Sequence, residues 1–302
     1  MLPDALDHLP DTKRRELEHV VKVLFDNFEA ATQTKLSEKR KGGRILKIIL
    51  FGSYARGDWV EDHLSGYRSD YDLLVVVNSQ EFTDLQEYWS AADDRFVREY
   101  TLTHDLKTPV SFIVHSLADV NDQLARGRPF FSDIVKDGLM LYEAEGHPLA
   151  KPKALTPEEI KAEAKAYYEQ WMDRAVKFQA GAQFYLDMPD AKLAAFNLHQ
   201  SAEALYHCAL LTLTLYSPKS HRLTFLRSQA EGLDVSLRTV WPDDKFARRS
   251  FAKLQRAYVE ARYSAGYEIT PDELTWLTSR VEHLAKTVYA LCEHSLRAYK
   301  AL

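Results

Sequence analysis

The sequence predicts an α+β chain: a small mixed-sheet domain over residues 1–147, then an all-α antiparallel helical bundle over residues 155–302. Three observations predict this. Four short apolar runs (residues 45–51, 71–77, 108–116 and 139–144) have strand length and alternate with helical patterns in the first half only. After about residue 157, apolar residues recur at helical spacing almost to the end. Between the halves, "EGHPLAKPKALTPEE" carries three prolines, one glycine and no apolar periodicity, which marks a linker.

In chain order, residues 11–33 place Leu17, Val20, Val21, Val23, Leu24 and Phe28 at helical spacing. The strand at 45–51 ends in Gly52-Ser53, and the strand at 71–77 follows Asp70. Residues 83–100 predict a helix, and "TPVSFIVHS" predicts the third strand. Residues 117–138 read as one helix ending at Gly138, before the fourth strand. In the second half, long helices are expected at 157–187, 191–216 and 271–300, and shorter ones at 221–232 and 244–262. Thr156-Pro157 and Thr270-Pro271 are start signals, each a capping hydroxyl before a proline with acids in the first turn. Long helices joined by short loops predict an antiparallel bundle.

Composition narrows the function. The net charge of −5 excludes a uniformly basic nucleic-acid binder, although the charge is uneven: the first half is acidic and the second mildly basic. Two cysteines, Cys208 and Cys292, form neither a disulfide framework nor a zinc pattern, which fits a reducing compartment. The N-terminus lacks the apolar core of a secretory signal, and the longest near-apolar run, "CALLTLTLY", is too short to span a bilayer. A cytoplasmic protein without a membrane segment is expected.

The chemistry concentrates in "KIILFGSYARGDWVEDHLSGYRSDYDLLVVV", Lys47–Val77. Strand alternation points Asp70 and Asp72 the same way, with Tyr71 on the other side. Two adjacent carboxylates need a cation or a shared proton. Hard oxygen ligands in a pair suit Mg²⁺, which takes its remaining ligands from water and substrate phosphates. Backbone N–H groups at a glycine-serine turn that opens a helix form a concave anion site, and the Ser53 hydroxyl adds a donor. An isolated Gly-Ser or Asp-x-Asp is usually a turn or a cap. The order strand, Gly-Ser turn, Asp-x-Asp, strand points instead to metal-assisted phosphoryl or nucleotidyl transfer.

"GSYARGD…SDYDLLV" resembles the minimal nucleotidyltransferases of the polymerase-β-like superfamily, and the resemblance covers roughly residues 40–145. It implies that Gly52 and Ser53 hold the triphosphate of an NTP, with ATP expected, and that Asp70 and Asp72 are the catalytic and metal-binding pair for Mg²⁺. Arg56 stands where it can reach a phosphate or serve on the surface. The reaction implied is attack of an acceptor hydroxyl on the α-phosphate, with release of pyrophosphate. The chain departs from the family in one respect. A third carboxylate belongs on a neighbouring strand, and "TPVSFIVHS" contains no acid: Ser111 stands in its place. Ser111, His115 and Asp105 are the candidates to replace it, with His115 also readable as a packed strand-end residue.

"FNLHQSAEALYHCALLTLTLYSPKSHRLTFLR" and "RAYVEARYSAGYEITPDEL" resemble a HEPN domain, over roughly residues 157–300. Many HEPN domains are ribonucleases, marked by an arginine, four to six residues, then a histidine. No such pair occurs in residues 151–302, which argues against ribonuclease activity. His199, Glu203 and His207 share one helix face and read as a polar stripe at a helix–helix or dimer contact in preference to a metal site. Basic residues from Lys219 to Arg262 form either a surface toward the nucleotide or ordinary solvated charge. Together the motifs predict a Mg²⁺-dependent nucleotidyltransferase whose helical domain shapes the acceptor site. The acceptor is a small molecule, an RNA end or a protein, and a homodimer is expected from the resemblance. The alternative is a catalytically weakened nucleotide-binding regulator derived from a toxin–antitoxin-type fusion.

Overall fold

A computed structural model describes residues 6–33, 42–61, 69–188 and 190–298. The chain divides into two compact units, Met1–Ala154 and Leu155–Leu302.

The first unit is built on a four-stranded sheet of β1 (Ile45–Phe51), β2 (Tyr71–Val77), β3 (Val110–Ser116) and β4 (Leu139–Glu143), in the order β3-β2-β1-β4. β1 runs antiparallel to β2 and β4, whereas β2 and β3 are parallel, so the sheet is mixed. Helix α1 (Asp11–Gln33) lays Leu17, Val20, Leu24 and Phe28 on the face formed by Ile48, Leu50, Leu73 and Val75. The predicted helix over 83–100 is a composite. A π-turn at Leu85–Trp89, an α-helix (α3, Ser90–Arg98) and a second π-turn at Glu99–Thr103 carry the chain between the two parallel strands. Trp89 from this segment stacks on Phe28 at 4.7 Å and seals that core.

The opposite sheet face, with Ile49, Leu74, Val76 and Ile113, is covered by α4 (Leu117–Ala125) and α5 (Pro129–Asp137). Residues 117–138, expected as one helix, form two. Gly127 takes φ +71°, which ends α4, and Pro129, which has no N–H to offer, opens α5. The stretch after β4 folds back on the first unit: Ala150 N–H donates to Asn121 Oδ1 and Lys153 N–H to the Leu124 carbonyl.

The second unit contains α6 (Pro157–Asp187), α7 (Ala191–Thr214), α8 (Leu223–Glu231), the short α9 (Val235–Arg238), α10 (Lys245–Tyr263) and α11 (Pro271–Ala298). Both predicted starts are present. Thr156 and Glu159 form a reciprocal capping box on α6, and Thr270 with Glu273 does the same on α11. α7 lies at the centre, packed by α6, α8, α10 and α11. Its sequence is apolar or small around most of its circumference, and small residues such as Ala194, Ala195, Ala202 and Ala209 let neighbours approach closely. The expected extension of α11 to residue 300 reaches beyond the described residues, and so does Pro189 of the α6–α7 break. No helix among the described residues is long and apolar enough to cross a membrane.

Candidate active site

The site begins where β1 ends. Gly52 takes φ +74°, a left-handed conformation that turns the chain directly into the short helix α2 (Gly52–Arg56). Phe51, at the N-cap, makes no side-chain bond to the first turn. The helix closes on Gly57, whose N–H and that of Asp58 both donate to the Ser53 carbonyl, at 2.9 and 3.0 Å. Gly52 is required for a second reason: a Cβ there would stand 2.6 Å from Oδ2 of Asp72. The turn and the second aspartate are pressed together with no room for a side chain between them.

The sheet register supplies the rest. Phe51 pairs with Asp72 across β1 and β2, and Asp72 pairs with Ser111 across β2 and β3, so these three residues form one row across the sheet. Asp70 stands just before β2, and the Ser111 hydroxyl donates to its Oδ2 at 3.0 Å. Asp70 and Asp72 are both partly buried, while Tyr71 between them is fully buried on the opposite face. Gly52, Asp70, Asp72 and Ser111 therefore meet at one end of the sheet, with Ser53 one residue along the turn.

Arg56 is half exposed, and its guanidinium pairs with Asp58 through Nε and Nη2, each at 3.3 Å. On α5, burial and the neighbouring Asp137 hold the Asp133 carboxyl above its usual range, against the opposing charges of Lys136 and Arg56. His115 does not replace the third acid. It stands four residues beyond Ser111, opposite Val76, about 13 Å along the strand. There its ring meets Phe131 edge-on, and Nδ1 lies 2.5 Å from Asp119 Oδ2. Asp105 accepts a hydrogen bond from Thr103 in the turn that precedes β3. Of the three candidates, Ser111 is bonded to the aspartate pair, through Asp70.

Beneath the site lies a network that the sequence reading missed. Tyr54 from α2 and Tyr71 from β2 are fully buried against each other at 4.6 Å, and Trp59 stacks on Tyr54 at 5.3 Å. Burial drives both phenols well above the usual tyrosine range, so they act as hydroxyl donors. Tyr71 donates to Glu16 and Tyr54 to Glu61, while Lys13 forms an ion pair with Glu61 and donates to Thr108 at 2.7 Å. A lysine and a glutamate three residues apart, on the same turn of α1 as Leu17, were the only signal in the sequence.

Among the described residues, no group of three or more His, Cys, Asp or Glu is arranged to hold a metal ion. The Asp70–Asp72 pair nevertheless has the donor chemistry of a Mg²⁺ site that is completed by substrate. It offers two carboxylates on one face, one already oriented by a hydroxyl, beside a turn left open by a missing Cβ.

Comparison with known proteins finds a family match in each half of the chain. A nucleotidyltransferase domain family model matches residues 32–105, which contain Gly52, Ser53, Asp70 and Asp72. A HEPN domain model matches residues 168–293. The chain joins a nucleotidyltransferase domain to a HEPN domain. A protein of Methanocaldococcus jannaschii whose name describes a protein adenylyltransferase is 62% identical over 34 residues. That match covers 11% of this chain and 28% of the other protein's length.

In the HEPN domain, the polar stripe on α7 is folded inward. His199 is fully buried; its Nδ1 donates to the Leu254 carbonyl at 3.0 Å, and its Nε2 lies 3.3 Å from Glu203 Oε2. His221 approaches the other oxygen of Glu203 at 3.0 Å, and both imidazoles stack on Tyr258. Burial pushes the Glu203 carboxyl up, but the two imidazoles outweigh it and hold the group below its usual range. His207 is separate, bonded to Ser217 at 2.6 Å and packed on Trp171. The stripe is thus a helix–helix contact within the HEPN domain.

Proposed function

We propose that the chain transfers a nucleoside monophosphate from an NTP, with ATP as the first candidate, to a hydroxyl group of a protein. The observation that carries this reading is the placement of Asp70 and Asp72 on one face with Gly52 pressed against Asp72. The name of the M. jannaschii protein supports AMP as the transferred group and a protein as the acceptor.

In this reading Gly52 and Ser53 receive the triphosphate through first-turn N–H groups and the Ser53 hydroxyl. Asp70 and Asp72 would hold Mg²⁺, which supplies charge neutralisation at the phosphate oxygens. Ser111 keeps one carboxylate oxygen of Asp70 aimed. Arg56 joins the phosphates by exchanging Asp58 for them. In the transfer itself the acceptor hydroxyl gives up its proton to solvent and its oxygen bonds to the α-phosphorus, the bond from that phosphorus to the bridging oxygen breaks, and pyrophosphate leaves. The HEPN domain recognises the acceptor, and the working protein is a dimer.

The test is incubation with α-phosphate-labelled NTPs and Mg²⁺, with and without cell lysate or RNA. Label should pass to protein and should be lost in Asp70→Asn and Asp72→Asn. Label that persists in both variants would sink the reading. A second reading, a nucleotide-binding regulator with little turnover, rests on Ser111 standing in the row where the family carries a third carboxylate. It predicts metal–nucleotide binding without transfer.

A further inference from the structure

Glu16 lies on α1, on the face of the sheet opposite Asp70 and Asp72, and its side chain is only 12% exposed. Its carboxylate collects three donors from two different segments. Tyr71 OH donates to Oε2 at 2.9 Å, Thr108 Oγ1 to the same oxygen at 3.1 Å, and the Lys107 N–H to Oε1 at 2.6 Å. Lys13, one helical turn back, stands 3.9 Å from Oε2 and links onward to Glu61, the acceptor for Tyr54.

Each donor belongs to an element that carries part of the candidate site. Tyr71 is the residue between Asp70 and Asp72, so fixing its hydroxyl on one face fixes the rotation of both carboxylates on the other. Lys107 and Thr108 lead into β3, three residues before Ser111. Tyr54, tied in through Glu61 and Lys13, follows Ser53. A core of this size does not need a nearly buried charge for stability; an apolar contact would pack the two tyrosines at lower desolvation cost. What the carboxylate adds is direction: three donors from two separate segments converge on one group.

We propose that Glu16 is a positioning residue for nucleotidyl transfer, setting the spacing of Asp70, Asp72 and Ser111 from beneath the sheet. This rests on the reading of Asp70 and Asp72 as the metal-binding pair. The chain's own tyrosines and threonine transmit the position, and Glu16 itself touches no substrate.

The decisive experiment compares Glu16→Gln with Leu24→Ala, a purely apolar lesion on the same helix. Two readouts are taken below the melting temperature of each variant. They are steady-state transfer from labelled ATP and Mn²⁺ binding in the presence of a non-hydrolysable ATP analogue, followed by electron paramagnetic resonance. Glu16→Gln keeps an acceptor for one donor and turns an N–H₂ toward the others. It should lower kcat and weaken Mn²⁺ binding by about tenfold each, with KM for ATP unchanged within about twofold. Leu24→Ala should melt at a lower temperature yet keep both values. Thr108→Ser should behave as wild type and Thr108→Val should follow Glu16→Gln. The proposal is overturned if Glu16→Gln matches wild type in both readouts, or if Leu24→Ala loses as much as Glu16→Gln. If wild type binds Mn²⁺ with nucleotide but transfers nothing, the binding comparison alone decides the role of Glu16. If wild type binds no metal–nucleotide at all, the underlying reading fails and the positioning role fails with it.

Discussion

The two units treat acidic side chains in opposite ways. In the nucleotidyltransferase domain, Asp70 and Asp72 stand on one face with the Ser111 hydroxyl and the Gly52 turn. In the HEPN domain, Glu203 is enclosed by His199 and His221, and both rings stack on Tyr258. In the second the charge is satisfied internally, whereas the first sets two carboxylates on one face of the sheet. The difference teaches that a polar cluster is a candidate site when its members have the same sign and converge, and a structural joint when they pair off.

The comparison breaks most sharply at Gly52. Gly52→Ala forces a Cβ to 2.6 Å from Asp72 Oδ2 at a positive φ. Labelled transfer should fall about 100-fold, since displacing a reacting group by an ångström has that scale. A wild-type rate in this variant would mean that the Gly52–Asp72 contact does not matter.

Swapping each acid for its amide gives stability changes of different size. Glu203→Gln should cost about 2 kcal/mol, because it weakens charge-assisted contacts to a buried partner. Asp72→Asn, at a partly buried residue, should change the stability of the metal-free protein by less than about 1 kcal/mol, while it abolishes transfer. Both are read from chemical denaturation without divalent ions. If both variants lose stability equally, the contrast between the two clusters is wrong.

The histidines separate by pH. Burial holds His207 below the ordinary imidazole range. The unfolded chain therefore binds more protons than the folded one below about pH 6.5, and stability should decline as pH falls from there toward the folded pKa. His207→Gln should flatten that decline. The contribution of Glu203, whose pKa is lowered, is present above the ordinary glutamate value and is lost only at more acidic pH, as pH falls through the folded pKa. Melting curves across the acidic range resolve the two windows. The smallest effect is expected at Ser111. Ser111→Ala removes one 3.0 Å bond to Asp70, worth about 1 kcal/mol, and should slow transfer about fivefold.

Much of the site was legible before folding because its logic is local. A residue at i and one at i+2 on a strand share a face whatever surrounds them, so Asp70 and Asp72 could be paired from spacing alone. Gly52 could be read as a turn, though its contact with Asp72 depends on antiparallel register. Ser111 was noticed as a departure, but its bond to Asp70, while its register partner is Asp72, required the parallel alignment of β2 and β3. His115 shares the face of Ser111 by alternation, and only strand length and register removed it from the site. Glu16 was invisible because its donors come from residues 55 to 92 positions away.

By itself the sequence determined what is periodic or local: the strands, the capped starts of the long helices, the Gly-Ser turn and the shared face of the two aspartates. These follow from backbone geometry and near-neighbour sterics, which repeat at every occurrence. Only the tertiary structure decided which polar groups meet. It brought Ser111 to Asp70, turned Arg56 to Asp58, closed Glu203 between two imidazoles and set Glu16 beneath Tyr71. The reason is that a side-chain hydrogen bond reaches about 3 Å, and no spacing along the chain specifies which distant segment folding will bring within that reach.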